Sequence, residues 1–354
     1  MINKRLIDET LINCKTDALL LSSYSNTAYY SRYMNPECSV LVTKDNIYYF
    51  TDDRYTGEAK SIIPENFILV SCHFNAYSKI AEYVKGLDVK TLGIDTVTFA
   101  EYSAICKAFE GVEILDREVI ISAPRAVKFD YELEFIGTAA HANDVAFENL
   151  LGQVKEGMTE LELAYLLQYE YIKAGGEGIA FDTISVFGEH TAYPHGHPGH
   201  TKLQYGDCIT LDFGTKYKGY CSDITRSFCF GTPKDPDYVK CYNAVLETNK
   251  LGIDLVEVGK PCKDVDQATR DNLKKYDLDK YFTHSLGHGV GIDIHEYPYL
   301  SAKSNDVFKE NQVYTIEPGI YINGKFGIRI EDMLCVKDGH SHLFSRCNKE
   351  LIIL

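Results

Sequence analysis

Hydrophobic and polar positions follow two rhythms along this chain. In residues 1 to about 122, helix-like stretches alternate with short apolar runs. "RLIDETLINCK", "RYTGEAKSI" and "YSKIAEYVKGL" repeat their apolar residues three and four apart, as a helix buried on one side does. "DALLLSS", "TLGIDT" and "VEILD" are short, rich in β-formers and bounded by turn residues, and "SVLVTKDNIYYFTDD" has the outline of a hairpin. The alternation predicts a layered α/β domain over 1–122. "ISAPRAVKF" (121–129) is the predicted joint, because Pro124 breaks any helix there.

A second domain is expected over 123–354. It opens with two long helical patterns, "DYELEFIGTAAHANDVAFENLLGQV" and "TELELAYLLQYEYIKAGG". Thr159 is the expected N-cap of the second and Gly175 its C-cap. "DPDYVKCYNAVLETNKLGIDLV" and "CKDVDQATRDNLKKY" predict two further helices. Strand patterns lie between and after them: "FDTISVFG", "IHEYP", "QVYTIEPGIYI" and "FGIRIEDMLCVK". Helices alternating with antiparallel hairpins predict an α+β layer fold.

Composition narrows the function. The 354 residues carry 51 acidic and 36 basic side chains, a net charge of -15, which argues against nucleic acid or an anionic membrane as partner. No apolar run approaches a membrane span, and the start "MINKRLIDETLINCK" reads as an amphipathic helix. The 11 cysteines form no C-x-x-C pair. A reducing, cytoplasmic setting with mostly buried thiols is expected.

The first chemistry lies in "YGDCITLDFGTKYKGYCSDITRSF" (205–228). It reads as strand, turn, strand. A turn centred between Tyr217 and Lys218 would set Asp212 directly opposite Asp223, where like charges destabilise a pair. Either both acids reach solvent or something positive sits between them. The neighbours Ile209, Leu211, Phe213, Ile224 and Phe228 favour a buried sheet and the second answer.

A second hairpin, "TIEPGIYINGKFGIRIED", repeats the pattern. Asn323-Gly324 is a strong turn signal. A three-residue turn over 323–325 puts Glu317 opposite Glu331; a two-residue turn shifts the pairing by one. Each acid pair alone reads as a solvated strand face. Two such pairs among apolar neighbours weaken that reading. Between the hairpins, "HSLGHGVGIDIHEYP" sets His284, His288 and His295 within twelve residues. Imidazole with carboxylates and no thiolate suits Mn, Co, Zn or Fe, and so many oxygens suit two cations bridged by carboxylates. Of the four histidines in "FDTISVFGEHTAYPHGHPGH", His190, His197 and His200 read as an exposed polar loop, while His195 could overhang the site.

These stretches together resemble the pita-bread metallopeptidases of the aminopeptidase P and prolidase branch, the Xaa-Pro peptidases. "FDTISVFGEHTAYPH", "GDCITLDFGTKYKGYCSDITRSF", "HSLGHGVGIDIHEYP", "YTIEPGIY" and "GIRIED" match in order and spacing over 181–331. "DALLLSSYSNTAYYSRY" and "YYFTDDRY" resemble the family's accessory domain. The resemblance implies a C-terminal pita-bread domain behind a smaller creatinase-type α/β domain. It implies five metal ligands, Asp212, Asp223, His288, Glu317 and Glu331, with Asp223 and Glu331 shared between two divalent ions per subunit, manganese foremost among Mn, Co, Zn and Fe. His284 and His295 would face the substrate, with His195 beside them and Arg329 as a buttress. The chain departs from the family at "GEH", where Asn is common.

The expected activity is removal of the residue before a proline in second position, in a homodimer. Glu317 would accept the proton, and His295 and His284 would donate to the developing oxyanion. A dipeptide-restricted Xaa-Pro dipeptidase is the alternative, and an inactive peptide-binding relative a more distant one. A creatinase-like amidinohydrolase would work without metal, and a calcium protein would have no use for histidine ligands.

Overall fold

The computed structural model describes residues 4–354; residues 1–3, the start of the predicted first helix, lie outside them. The described chain divides into two compact units, one ending at Arg125 and one running from Ala126 to Leu354.

The first unit is built on a mixed six-stranded sheet. Its order is Phe67–Ser71, Ile47–Thr51, Cys38–Thr43, Ala18–Leu21, Thr91–Ile94 and Glu113–Asp116. The hairpin 38–51 pairs antiparallel, and the strands Thr91–Ile94 and Glu113–Asp116 extend the sheet in parallel. Ala18–Leu21 is buried throughout, as its continuous apolar run predicts. The helices Lys4–Cys14 and Asp53–Ile62 lie where the periodicity puts them. The helix Tyr24–Ser31 was not among the predicted elements. It is buried from Ser25 to Ser31, so it has no polar stripe to betray a helical period.

In the second unit each acidic hairpin has a helical pair behind it. The strands Asp207–Phe213 and Ile224–Phe230 pair antiparallel, with Ile184–Phe187 beside the first. Side chains alternate across a strand. Ile209, Leu211 and Phe213 therefore share a face, and they pack with Phe147, Leu163 and Leu167 of the helices Asp130–Leu151 and Glu160–Lys173. Burying each such side chain stabilises the fold by about 1.5–3 kcal/mol. Asp212 is left on the other face. In the same way the helices Tyr238–Asp254 and Cys262–Lys274 bring Val245, Ile253 and Leu273 against Ile316, Ile328 and Leu334.

The helix caps agree in part with expectation. Thr159 forms a capping box with Glu162. The C-cap, however, is Ala174; Gly175 follows it at φ +102°, which relieves the chain where it reverses.

Candidate active site

The registers of the two hairpins decide where the acids go. In the first, Asp212 pairs with Thr225, not with Asp223. The turn is Lys218-Gly219, closed by Tyr217 opposite Tyr220, and both turn residues have positive φ, 50° and 81°. That is the backbone a two-residue hairpin turn demands. The turn thus lies one residue beyond the sequence-based centre, and Asp223 moves two places along its strand from the partner of Asp212. The two acids become diagonal neighbours on one face. Asp223 itself lies just outside the regular ladder, opposite Gly214, where a Cβ would sit 2.0 Å from the Ser222 carbonyl oxygen. Only glycine allows that approach.

In the second hairpin the three-residue turn holds. Ile322 pairs with Phe326 and Gly319 with Arg329, while Ile316 pairs with Asp332 in the adjoining ladder. Both ladders carry the same register, so Glu317 and Glu331 face each other in the gap between them.

The histidines arrive on a third element. His288 lies in the strand Gly287–Gly289, which pairs with Glu296–Leu300 across an irregularity after His288. The rings of His288 and His295 are 4.3 Å apart. His288 Nδ1 donates to the Gly289 carbonyl at 3.0 Å, which leaves the Nε2 lone pair aimed at Asp223 Oδ2 and Glu317 Oε1, each 3.5 Å away. Donor atoms of Asp223, His288 and Glu331 all lie within 4.8 Å of one another.

A hydroxyl and guanidinium scaffold holds the carboxylates. Thr225 Oγ1 donates to Glu331 Oε2 at 2.7 Å and accepts from Arg329 Nε at 3.1 Å. Arg329 Nη2 donates to Asp212 Oδ2 at 2.7 Å, and Nη1 to the Tyr321 hydroxyl at 2.6 Å. Tyr321 in turn meets His284 Nε2 at 2.9 Å, while His284 Nδ1 donates to the Ser285 carbonyl at 2.8 Å. Arginine can only donate and a carbonyl only accept. The Tyr321 proton therefore points to His284 Nε2, and both nitrogens of His284 are engaged. Behind Glu331, the buried Arg226 donates to Asp332 Oδ1 at 2.7 Å and to the backbone carbonyl of Glu331.

The electrostatics are unbalanced. Four carboxylates meet one guanidinium, that of Arg329, in a cleft of about 370 Å³ that also touches Phe181, Ile184, His195 and Tyr299. Burial, then Glu331, pushes the Asp223 carboxyl well above its ordinary range; burial, then Glu317, does the same to Glu331. Burial pushes Glu317 up to about 8. Burial also holds His284 and His288 down at about 3, with Arg329 and His295 respectively adding to it. Asp212 Oδ1 is buried without a partner. An orphaned oxygen, a lone pair facing carboxylates and uncompensated buried acid are the features a divalent cation would satisfy, so this donor set fits metal. A larger hollow of about 780 Å³ on the first unit, between Ile12 and Leu87, is lined by four aspartates and two lysines, with no histidine among its described residues.

All the sequence-derived candidates, Asp212, Asp223, His195, His284, His288, His295, Glu317, Arg329 and Glu331, line this one cleft. Tyr321, Thr225 and Arg226 escaped the sequence reading. Tyr321 stands four residues after Glu317, but only the fold shows it bridging Arg329 and His284. His190 is not a free polar loop residue: its Nδ1 bonds the buried Glu160 carboxylate at 2.8 Å.

Known proteins are similar to this chain in sequence and fold. The Creatinase/Prolidase N-terminal domain model matches residues 7–127, and the Metallopeptidase family M24 model matches 134–338. An Xaa-Pro dipeptidase of Pyrococcus furiosus is 32% identical over 325 residues, covering 87% of this chain and 92% of the relative. Among solved structures, the Xaa-Pro dipeptidase from Bacillus anthracis superimposes with a TM-score of 0.95 at 33% identity, covering 99% of this chain and 100% of that one. The X-Pro aminopeptidase from Thermotoga maritima gives 0.89 at 30% identity, covering 98% and 100%. With both halves matched and the acids and histidines gathered in one cleft, the chain belongs to metallopeptidase family M24, and within it to the Xaa-Pro peptidases.

Proposed function

We propose that the chain is an Xaa-Pro aminopeptidase that works with two divalent ions, manganese foremost. Asp212, Asp223, His288, Glu317 and Glu331 would hold the ions. The observation that carries this reading is the His288 Nε2 lone pair set 3.5 Å from two carboxylates, next to a carboxylate oxygen with no partner. When bound, such ions supply Lewis acidity and a water activated near neutral pH.

The remaining work falls to side chains of this protein. Glu317 accepts the proton and passes it towards the leaving proline nitrogen. Its side chain is 16% exposed, against 6% for Asp223, so it can exchange the proton with the cleft. His295 is exposed to the cleft beside His288 and makes no hydrogen bond to another described residue, which leaves it free to donate to the developing oxyanion. His284 does not take the oxyanion-donor role expected of it, because Ser285 and Tyr321 engage both its nitrogens; it contributes its ring to the substrate wall and fixes Arg329 through Tyr321. The bond before proline has no N–H to recognise. Phe181, Ile184 and Tyr299 offer apolar surface for the ring instead.

The choice between peptide and dipeptide rests on charge. A dipeptide brings its carboxylate into the cleft on the proline itself. Among the described residues lining the cleft the one arginine or lysine is Arg329, already held by Asp212, Tyr321 and Thr225. A longer substrate carries its carboxylate away. The relatives named Xaa-Pro dipeptidase keep the dipeptidase reading as the alternative.

Two measurements test the proposal. Chelation should abolish Xaa-Pro cleavage and manganese should restore it; cleavage indifferent to chelator overturns the metal scheme. With manganese present, kcat/KM for Xaa-Pro-Yaa should exceed that for Xaa-Pro, and the reverse order selects the dipeptidase. Sedimentation equilibrium tests the expected homodimer.

A further inference from the structure

The loop that carries His195 is clamped by a carboxylate outside the cleft. Glu160 opens the helix Glu160–Lys173, and its side chain is 0% exposed. Glu160 Oε1 accepts from the Phe187 N–H at 2.9 Å and from His190 Nδ1 at 2.8 Å, and Oε2 accepts from the Gly199 N–H at 2.9 Å. Phe187 and Gly199 are the two ends of one loop, and His190 lies within it. A single acid therefore closes the loop at its base.

Further bonds fix its course towards the cleft. Thr191 Oγ1 donates to the Gly188 carbonyl at 2.6 Å and accepts from the Gly327 N–H at 2.8 Å. The Pro194 carbonyl accepts from Arg329 Nη1 at 3.3 Å. His195, the next residue, lines the cleft. A buried carboxylate is costly unless its oxygens are satisfied. Glu160 meets that demand with three donors, and two of them are backbone groups that no side-chain change removes. His190 is the third.

We propose that Glu160 and His190 are positioning residues that hold His195 against the substrate. This rests on the reading of the cleft as a peptidase site. His190 Nδ1 is bonded directly to Cγ, as Nδ2 of an asparagine is, so asparagine at 190 would present an N–H donor at nearly the same place. Leucine fills similar space and presents none.

The test compares His190→Asn with His190→Leu in the metal-loaded full chain, each with and without His195→Ala. His190→Leu should lower kcat/KM for Xaa-Pro-Yaa by about 10²-fold, mainly through KM, because a displacement of about 1 Å at a contact residue has that effect. Metal stoichiometry should not change. His190→Asn should come within about threefold of wild type, and on the His195→Ala background His190→Leu should cost less than about twofold, as expected of residues acting as one unit. The proposal is overturned if His190→Leu costs as much without His195 as with it, if metal is lost, or if asparagine fails to rescue. Should His190→Leu not fold, Glu160→Gln, which keeps one acceptor oxygen, must show the same dependence on His195 at smaller size. Wild-type kinetics for His195→Ala alone would instead remove the underlying role of His195, a result the first comparison keeps separate.

Discussion

The two acidic hairpins reach the same cleft by different geometry. In the first, Asp212 stays in a regular ladder and Asp223 leaves it at Gly214. In the second, Glu317 and Glu331 both sit in a gap between two ladders that share one register. One hairpin offsets its acids diagonally and the other sets them face to face. The difference teaches that facing acids are tolerated where the ladder is interrupted, and that within a continuous ladder the charge is displaced. Each solution leaves buried carboxylates whose charge must be met by a proton or a metal ion.

The comparison can be broken at its centre. Asp223→Asn and Glu331→Gln, one from each hairpin, should each lose bound metal and about 10³-fold in kcat/KM, since several kcal/mol of charge stabilisation go with the ion. Full metal content by elemental assay in one variant alone would show that the hairpins are not equal partners. Their supports should differ next. Thr225→Val removes a 2.7 Å bond to Glu331 and should cost about 10–100-fold in metal affinity, read by titrated reactivation. Thr315→Val, which loses a 3.3 Å contact to Glu317, should cost less than about tenfold by the same measure.

Acid titration probes both hairpins at once. Burial raises the carboxyls of Asp223 and Glu331 well above their ordinary range and that of Glu317 to about 8. In the unfolded chain such groups titrate near about 4. Between those values the folded metal-free protein holds protons that the unfolded chain has released, so its stability falls as pH rises. Calorimetry should show Tm of the metal-free protein lower at pH 8 than at pH 5, and a flatter profile with manganese. Equal slopes with and without metal would contradict the shared-cation account.

The turns supply the smallest effects. Lys218 is a non-glycine residue at φ 50°, and Lys218→Asn should stabilise by about 0.5–1 kcal/mol. In the second hairpin Gly324 stands at φ +74°, and Gly324→Ala should destabilise by about 1 kcal/mol. Thermal melts decide both, and opposite signs are the expected outcome.

Much of this was legible in the chain. The paired acids, the histidine cluster and the helices behind them follow from spacing and periodicity, and the Asn323–Lys325 turn carries the second register correctly. The first register slipped because "KYKG" has no Asn-Gly or Asp-Gly to mark its centre, and Lys218 was not expected at positive φ. Thr225, Tyr321 and Arg226 were invisible for another reason. Their partners Glu331, His284 and Asp332 lie 106, 37 and 106 residues away, and no local pattern records such a meeting. Glu160 escaped in the same way: in sequence it is one more acid in the first turn of a helix.

The seam between the hairpins has one more consequence. Ser227 Oγ donates to the Arg329 carbonyl and accepts from its N–H, and the Glu331 N–H donates to the Thr225 carbonyl. Those two amides can exchange with deuterium only when the strands part. Parting them also pulls apart residues that share the proposed ions. Deuterium uptake at Arg329 and Glu331 should therefore slow with added manganese by a factor that tracks its concentration, giving a gauge of occupancy that requires no turnover.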